Sequence, residues 1–155
     1  MKEYDISIWV DGNFEIQQDL VGFIKQYDLD KCPLYVRVHP CRRCIYEEAK
    51  ACIRLHKDTK ENINSQVDAY KKDGYPKNIG MVETGVLLRR HNDMKCQLLS
   101  NLWASELLKY SHRDQLSFNY ACWKIHFLPG CLNTEFSIFG KKVNTFKLYG
   151  HDHGR

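Results

Sequence analysis

The sequence predicts an α/β domain in which helices cover both faces of a sheet. Short apolar runs typical of strands alternate along the chain with longer segments whose apolar residues recur at helical spacing. The first such run, Ser7 to Val10, stops on an acid, a glycine and an amide, Asp11-Gly12-Asn13. Because α/β sheets bind ligands beyond the carboxyl ends of their strands, this strand end is also a candidate site.

Length and composition fit one globular domain. The 155 residues are 43% hydrophobic and 27% charged, which is enough for a core. No segment approaches the ~20 apolar residues of a membrane span, and the N-terminus has no apolar signal region, so we expect a cytoplasmic protein. The net charge of +4 is mild and basic residues are interleaved with acidic ones, which argues against nucleic acid as a partner.

The cysteine content is high, with seven residues. Because no secretion signal is visible, we interpret them as reduced thiols. Cys52 and Cys122 lie within apolar helical patterns and are expected in the core. Cys41 and Cys44 have the spacing of half a zinc site, but no second pair of similar spacing completes it.

The first half of the chain carries two predicted strands and three predicted helices. Residues 1–10 form the first strand, and residues 17–27 have apolar side chains at helical spacing. Residues 33–38, Pro-Leu-Tyr-Val-Arg-Val, form a short second strand. Residues 42–57 form a helix with one strongly apolar face, and residues 61–72 form a more polar amphipathic helix.

The second half adds one clear strand and two helices. Residues 84–90, Thr-Gly-Val-Leu-Leu-Arg-Arg, form the third strand, and residues 95–110 form a helix with a leucine-rich buried side. Ser111 can cap a further helix, with Asp114 three residues on in a weak capping box. Near the C-terminus the pattern is mixed, with a further strand at residues 144–149.

Asp11-Gly12-Asn13 supports two interpretations. A carboxylate and an amide oxygen one residue apart suit a hard divalent cation such as Mg²⁺ or Mn²⁺, which could in turn hold a diphosphate. Gly12 between them lets the backbone turn tightly or lets a ligand come close. Asp-Gly and Gly-Asn are also ordinary turn dipeptides.

Three basic residues, Arg89, Arg90 and His91, close the third strand. We expect them at the same edge of the sheet as Asp11, where their charge could meet a phosphate. The alternative is that they are ordinary charged residues of a solvent-exposed loop.

Four segments of the chain carry a more specific pattern. They are Ile8-Trp9-Val10-Asp11-Gly12-Asn13, His39-Pro40-Cys41-Arg42-Arg43-Cys44-Ile45-Tyr46-Glu47-Glu48-Ala49, Glu83-Thr84-Gly85-Val86-Leu87-Leu88-Arg89-Arg90-His91 and Arg113-Asp114-Gln115-Leu116-Ser117-Phe118. In this order they resemble the TOD1-like glycosyltransferases, a family long catalogued as a domain of unknown function. The likeness runs from about Tyr4 to about Lys124, and the third and fourth segments are distinctive together.

The resemblance implies an A-type glycosyltransferase fold, which is a Rossmann-like α/β domain. Such enzymes move a sugar from a nucleotide-sugar donor to a glycan or other hydroxyl acceptor, usually with Mn²⁺ or Mg²⁺. Their Asp-x-Asp metal motif would here be Asp11-Gly12-Asn13, whose neutral amide should weaken metal binding. The last metal ligand would come from His151 or His153. A His-x-His near the C-terminus can equally be part of a chain end that binds no metal.

The later segments also look like those of glycosyltransferase family eight. There, a strand that opens with a small-residue turn follows the metal motif, and an Asp-Gln pair begins a helix beside the sugar. By this likeness Glu83-Thr84-Gly85 and Arg113 are substrate-binding, and Asp114 and Gln115 are catalytic. Asp114 would orient a sugar hydroxyl or accept its proton. The alternative is that Asp114 only completes the helix cap.

Further substrate contacts are implied by the second segment. His39 and Arg42 match the family's His-Pro-x-Arg pattern, which precedes an acidic helix. Arg42 would then contact the donor phosphate or the acceptor, and Arg89 and Arg90 would add positive charge. The alternative for Arg42 is a salt bridge with a neighbouring acid.

The resemblance also implies that something is missing, since the family carries its first nucleotide-binding strands before the metal motif. Ten residues precede Asp11 here, so we expect residues 1–155 to form one partial domain that lacks those strands. Three functions remain open: a glycosyltransferase, a non-catalytic carbohydrate- or protein-binding remnant of one, and a zinc-dependent nucleic-acid binder that rests on Cys41 and Cys44 alone.

Overall fold

The computed structural model describes residues 3–132 and 145–149 of the chain. Its elements in chain order are β1 (Ile6–Val10), β2 (Phe14–Ile16), α1 (Leu20–Ile24), β3 (Leu34–Val38), α2 (Ile45–Arg54), α3 (Lys60–Lys72), β4 (Val82–Arg90), α4 (Met94–Lys109), α5 (Asp114–Lys124), β5 (Gly130–Cys131) and β6 (Phe146–Leu148).

The main sheet has four strands in the order β1-β4-β3-β5. The central strand β4 runs antiparallel to β1 and β3, whereas the short β5 runs parallel to β3. β2 and β6 pair separately as an antiparallel ribbon. The α/β class is therefore confirmed, with a mixed sheet, whereas the finer prediction of a Rossmann-like arrangement stays a prediction.

The core lies on both faces of β4, because successive side chains of a strand point to opposite faces. Val86 and Leu88 pack on one face with Phe23 of α1 and Phe146 of β6. Leu87 packs on the other face with buried residues of α4 and α5. This double burial explains why five consecutive residues of β4, Thr84 to Leu88, are buried.

The predicted helices form, but with shifted ends. α1 is shorter than predicted and begins after Asp19, whose carboxylate accepts hydrogen bonds from the N–H groups of Val21 and Gly22. The expectation that Ser111 caps the last helix is wrong. The Ser111 hydroxyl instead donates to Asp58 Oδ2 over 2.6 Å, and α5 begins at Asp114.

The remaining predictions about the fold have mixed outcomes. Cys52 and Cys122 are buried, as predicted, and all seven cysteines of the chain are free. β6 confirms a strand within residues 145–149, whereas β2 and β5 were not predicted. No helix of the described part is long and apolar enough to traverse a bilayer. The cytoplasmic location and the partial-domain interpretation stay predictions.

Candidate functional site

One end of the main sheet, here called the site edge, gathers most of the predicted residues. β1 and β3 both end there, and the antiparallel β4 begins there. The backbone N–H of Asp11 donates to the carbonyl of Gly85 over 2.9 Å. The residue that follows β1 is therefore fixed against the first half of β4.

A cavity of about 280 Å³ opens at the site edge and is here called the polar cavity. Its lining comes from four separate stretches of the chain: the turn after β1, the start of β4, the start of α5 and the end of β6. The lining residues are Asp11, Asn13, Phe14, Glu83, Gly85, Arg113, Gln115, Leu148 and Tyr149. Six of these nine were predicted as site residues from the sequence.

The first stretch, Asp11-Gly12-Asn13, is both a turn and a part of the cavity wall. The N–H of Phe14 donates to the carbonyl of Asp11 over 3.0 Å, which closes the turn. The indole N–H of Trp9 donates to Asp11 Oδ1 over 2.9 Å and holds the carboxylate in place. The turn interpretation is thus confirmed, and it is compatible with the site interpretation because Asp11 and Asn13 face the same cavity.

Gly85 has a steric reason to be glycine. A Cβ at this position would lie 2.8 Å from Phe14 Cε2 and 3.6 Å from Asp11 Oδ2. The Phe14 ring can therefore approach the β4 backbone only because no side chain intervenes, whereas Asp11 Oδ2 would stay at an ordinary contact distance.

Glu83 is the second carboxylate of the polar cavity. It forms an ion pair of 3.0 Å with Arg37 of β3, and both side chains are largely buried. Burial raises the pKa of Glu83 above its ordinary value, the negative charge of Asp11 raises it further, and Arg37 partly offsets both. Sequence reasoning missed Arg37, although a charged residue within a buried strand is a recognisable signal.

Arg113 contributes positive charge to the polar cavity, where it is the one cation among the described lining residues. Its Nε is buried and makes no hydrogen bond within the described part of the chain. A guanidinium with an unused donor suits phosphate or carboxylate oxygens.

Asp114 lies beside the polar cavity but does not line it, whereas its neighbours Arg113 and Gln115 do. The Thr84 hydroxyl donates to Asp114 Oδ2 over 2.5 Å, and the Gln115 N–H donates to Oδ1 over 2.9 Å. Asp114 therefore connects the start of α5 to β4. Its predicted catalytic role stays a prediction.

His39 and Arg42 lie close to the end of β3 and do not line the polar cavity. His39 Nδ1 accepts hydrogen bonds from the N–H groups of Cys41 and Arg42, and burial lowers the pKa of the imidazole. Arg42 forms an ion pair of 2.5 Å with Glu48, which is buried. The salt-bridge alternative for Arg42 is therefore confirmed.

The expectation that Arg89 and Arg90 share an edge with Asp11 is wrong. Because β4 is antiparallel to β1, Arg90 pairs with Ile6 at the opposite end of the sheet. Arg89 Nε donates to Ser7 Oγ over 3.1 Å, and Arg90 forms an ion pair of 2.6 Å with Asp30. Their charges lie far from the polar cavity along the strand.

The predicted metal ligands are only partly placed. His151 and His153 lie outside the described residues. Within the described ones, no group of three or more histidine, cysteine or acidic side chains forms a metal site. The carboxylate of Asp11 and the amide of Asn13 are nevertheless hard oxygen ligands on one cavity, which fits Mg²⁺ or Mn²⁺ when substrate phosphates complete the coordination.

Comparison with known proteins identifies the family of the chain. The chain belongs to the TOD1/MUCI70 family of glycosyltransferase-like domains, which it matches over residues 2–150. This confirms the resemblance found in the sequence.

A curated relative in Arabidopsis thaliana is named probable hexosyltransferase MUCI70, and the two chains are 29% identical over 122 residues. The alignment covers 73% of this chain but only 21% of the relative, so the chain spans about a fifth of that protein's length. No solved structure matches the chain.

Proposed function

We propose that this domain acts in glycosyl transfer from a nucleotide-sugar donor to a glycan or other hydroxyl acceptor, with a divalent cation. The observation that carries the proposal is the polar cavity, which brings together predicted residues from separate segments. Asp11 and Asn13 come from the turn, Glu83 from β4 and Arg113 from the start of α5.

The donor diphosphate would bind between the turn and Arg113. The guanidinium has an unpartnered Nε, and its planar donors match phosphate oxygens. Asp11 and Asn13 would hold Mn²⁺ or Mg²⁺, with Asp11 kept in position by the Trp9 indole. When bound, the cation supplies positive charge that stabilises the departing diphosphate.

Glu83 is our candidate for the proton acceptor. In the transfer, the bond between the anomeric carbon and the diphosphate oxygen breaks, the acceptor oxygen bonds to that carbon, and the acceptor hydroxyl gives up its proton. Glu83 lines the cavity and has a raised pKa, which makes it a stronger base than a solvated carboxylate. We propose it for the role predicted for Asp114 because hydrogen bonds from Thr84 and Gln115 engage both Asp114 oxygens, whereas the ion pair with Arg37 is made through Glu83 Oε2.

The test is donor hydrolysis and sugar transfer measured with and without Mn²⁺ across a panel of nucleotide sugars. We expect Asp11→Ala to lower a metal-dependent activity by about tenfold or more. Asp68→Ala, at an exposed acid on α3, serves as the matched control and should leave activity unchanged. Activity that is indifferent to both Mn²⁺ and Asp11→Ala would refute the metal assignment.

A second candidate function is a binding module that retains the donor site without turnover. It is favoured by the engagement of both candidate acids within the protein, since Asp114 accepts hydrogen bonds from Thr84 and Gln115 and Glu83 Oε2 is paired with Arg37. Calorimetry with the same panel separates the two: micromolar binding without hydrolysis or transfer supports the module, whereas turnover excludes it.

A further inference from the structure

We propose that the protein has a second binding site, for a neutral apolar small molecule that contains a ring and a hydrogen-bond acceptor. The site is a cavity of about 360 Å³, here called the apolar cavity. It lies between β3, the end of α5 and the loops that follow α3 and α5.

The walls of the apolar cavity are those of a small-molecule site. Val36, Met81 and Cys122 form its buried walls, and Trp123 adds an aromatic surface. None of the described residues that line it carries a charge. Its volume and apolar lining are typical of pockets that enclose small organic ligands.

The rim of the apolar cavity exposes large hydrophobic side chains. Val38, Ile79 and Leu128 all line the cavity and are 55%, 52% and 88% exposed, respectively. Since apolar surface is stabilised by removal from water, three such residues around one opening favour an apolar ligand.

Two polar atoms of the lining residues indicate that the ligand also carries a hydrogen-bond acceptor. Tyr75 and Asn119 line the cavity, and Tyr75 Oη and Asn119 Nδ2 are buried without a hydrogen bond in the described part of the chain. Asn119 Oδ1 already accepts from the N–H of Val82 over 3.3 Å. Both unused groups can donate, so a ligand with an ether, carbonyl or hydroxyl oxygen would satisfy an otherwise unpaired donor.

The apolar cavity is distinct from the polar cavity, although both border the start of β4. Val82 lines the apolar cavity and Glu83 lines the polar cavity. Consecutive strand residues point to opposite faces, which accounts for the separation. The proposal therefore does not rest on glycosyl transfer, and the absence of transferase activity would leave it intact.

The first experiment measures the fluorescence of a neutral probe, 6-propionyl-2-(dimethylamino)naphthalene, which carries fused rings and a carbonyl acceptor, with the full chain. We expect saturable binding, which Val38→Trp should weaken by about tenfold or more because the indole fills the cavity mouth. Val21→Trp is the matched control, since Val21 is similarly exposed, at 58%, on α1 and outside the cavity. Equal binding by both variants, or no saturable binding to the unmodified chain, would overturn the proposal.

A second measurement uses the unmodified protein and does not depend on how a variant folds. Cys131 and Cys41 are both exposed, but only Cys131 lines the apolar cavity. We expect the probe to slow alkylation of Cys131 by iodoacetamide, measured by peptide mass spectrometry, and to leave the rate at Cys41 unchanged. Equal effects on the two thiols, or none on Cys131, would show that the probe binds elsewhere and would refute the site.

Discussion

At the scale of single residues, the clearest constraint on the polar cavity is the missing side chain at Gly85. We expect Gly85→Ala to push the Phe14 ring towards the cavity and to lower the free energy of unfolding by about 1–3 kcal/mol, because a Cβ there would overlap Phe14. Urea denaturation and donor binding are the measurements. Gly12→Ala is the matched control, since no atom lies within 4 Å of a Cβ at that position.

The contrary outcome for this pair is as informative as the expected one. If Gly12→Ala disturbs donor binding and Gly85→Ala does not, close approach of a ligand to Gly12 matters more than packing beneath Asp11. In that case the donor would contact the turn at Gly12, and the Phe14 ring would not shape its binding site.

Glu83 predicts the pH dependence of the proposed activity. Because burial and the Asp11 charge raise its pKa above the ordinary 4.5, the acidic limb of the pH–rate profile should lie above that value. The carboxyl must be ionised to accept a proton, so activity should rise with pH through this limb. Raising the Mn²⁺ concentration should move the limb to lower pH, since a nearby cation favours the ionised form.

Glu83→Gln is the variant that checks this assignment. We expect it to lower the rate by a factor of about 10²–10⁴ and to remove the limb. Glu47→Gln, at an exposed position of α2, should change neither the rate nor the limb. A limb that persists in Glu83→Gln belongs to another group.

At the scale of elements, the sequence predicted which segments form β4 and the long helices, but not how they are oriented. A short apolar run identifies a buried strand, yet the run looks the same whether the strand is parallel or antiparallel to its neighbour. Arg89 and Arg90 were misplaced for this reason. β2 and β5 were missed because a strand of two or three residues is too short to show a hydrophobic periodicity. In addition, β2 pairs with a strand more than a hundred residues away along the chain.

The site residues were predictable where local chemistry and position coincide. Asp11 and Asn13 follow a recognisable strand end, and Arg113 and Gln115 flank a recognisable helix start. The ion pair between Arg37 and Glu83 depends on the register of β3 against β4, which no local pattern encodes.

The hydrogen bond from Thr84 to Asp114 joins two elements that both line the site. We expect Thr84→Val to lower the free energy of unfolding by about 1–3 kcal/mol, because it leaves Asp114 Oδ2 without its hydroxyl partner. Ser105→Ala, on the exposed side of α4, is the control for denaturation by urea. A Thr84→Val protein of unchanged stability but lost activity would instead support the catalytic role predicted for Asp114.

At the scale of the whole molecule, two cavities with chemically different linings lie close to the site edge. The polar cavity carries carboxylates, an amide and an arginine, whereas the apolar cavity carries no charge among its described lining. Both depend on the start of β4, which pairs with β3 on one side and accepts a hydrogen bond from the Asp11 N–H on the other. The position of the central strand β4 in the sheet therefore sets the position of a wall of each cavity.

Thermal unfolding tests whether the polar cavity acts as one site for cation and diphosphate. We expect Mn²⁺ with uridine or guanosine diphosphate to raise the Tm by about 5 °C at saturating concentrations. Either component alone should do much less, since Asp11 and Asn13 leave the coordination of the cation to be completed by phosphate. Arg113→Gln should abolish most of the joint shift, and Arg43→Gln, at an exposed position, should preserve it. A full shift with Mn²⁺ alone would show that the diphosphate is not part of the site, and an equal shift in both variants would show that the diphosphate does not bind at Arg113.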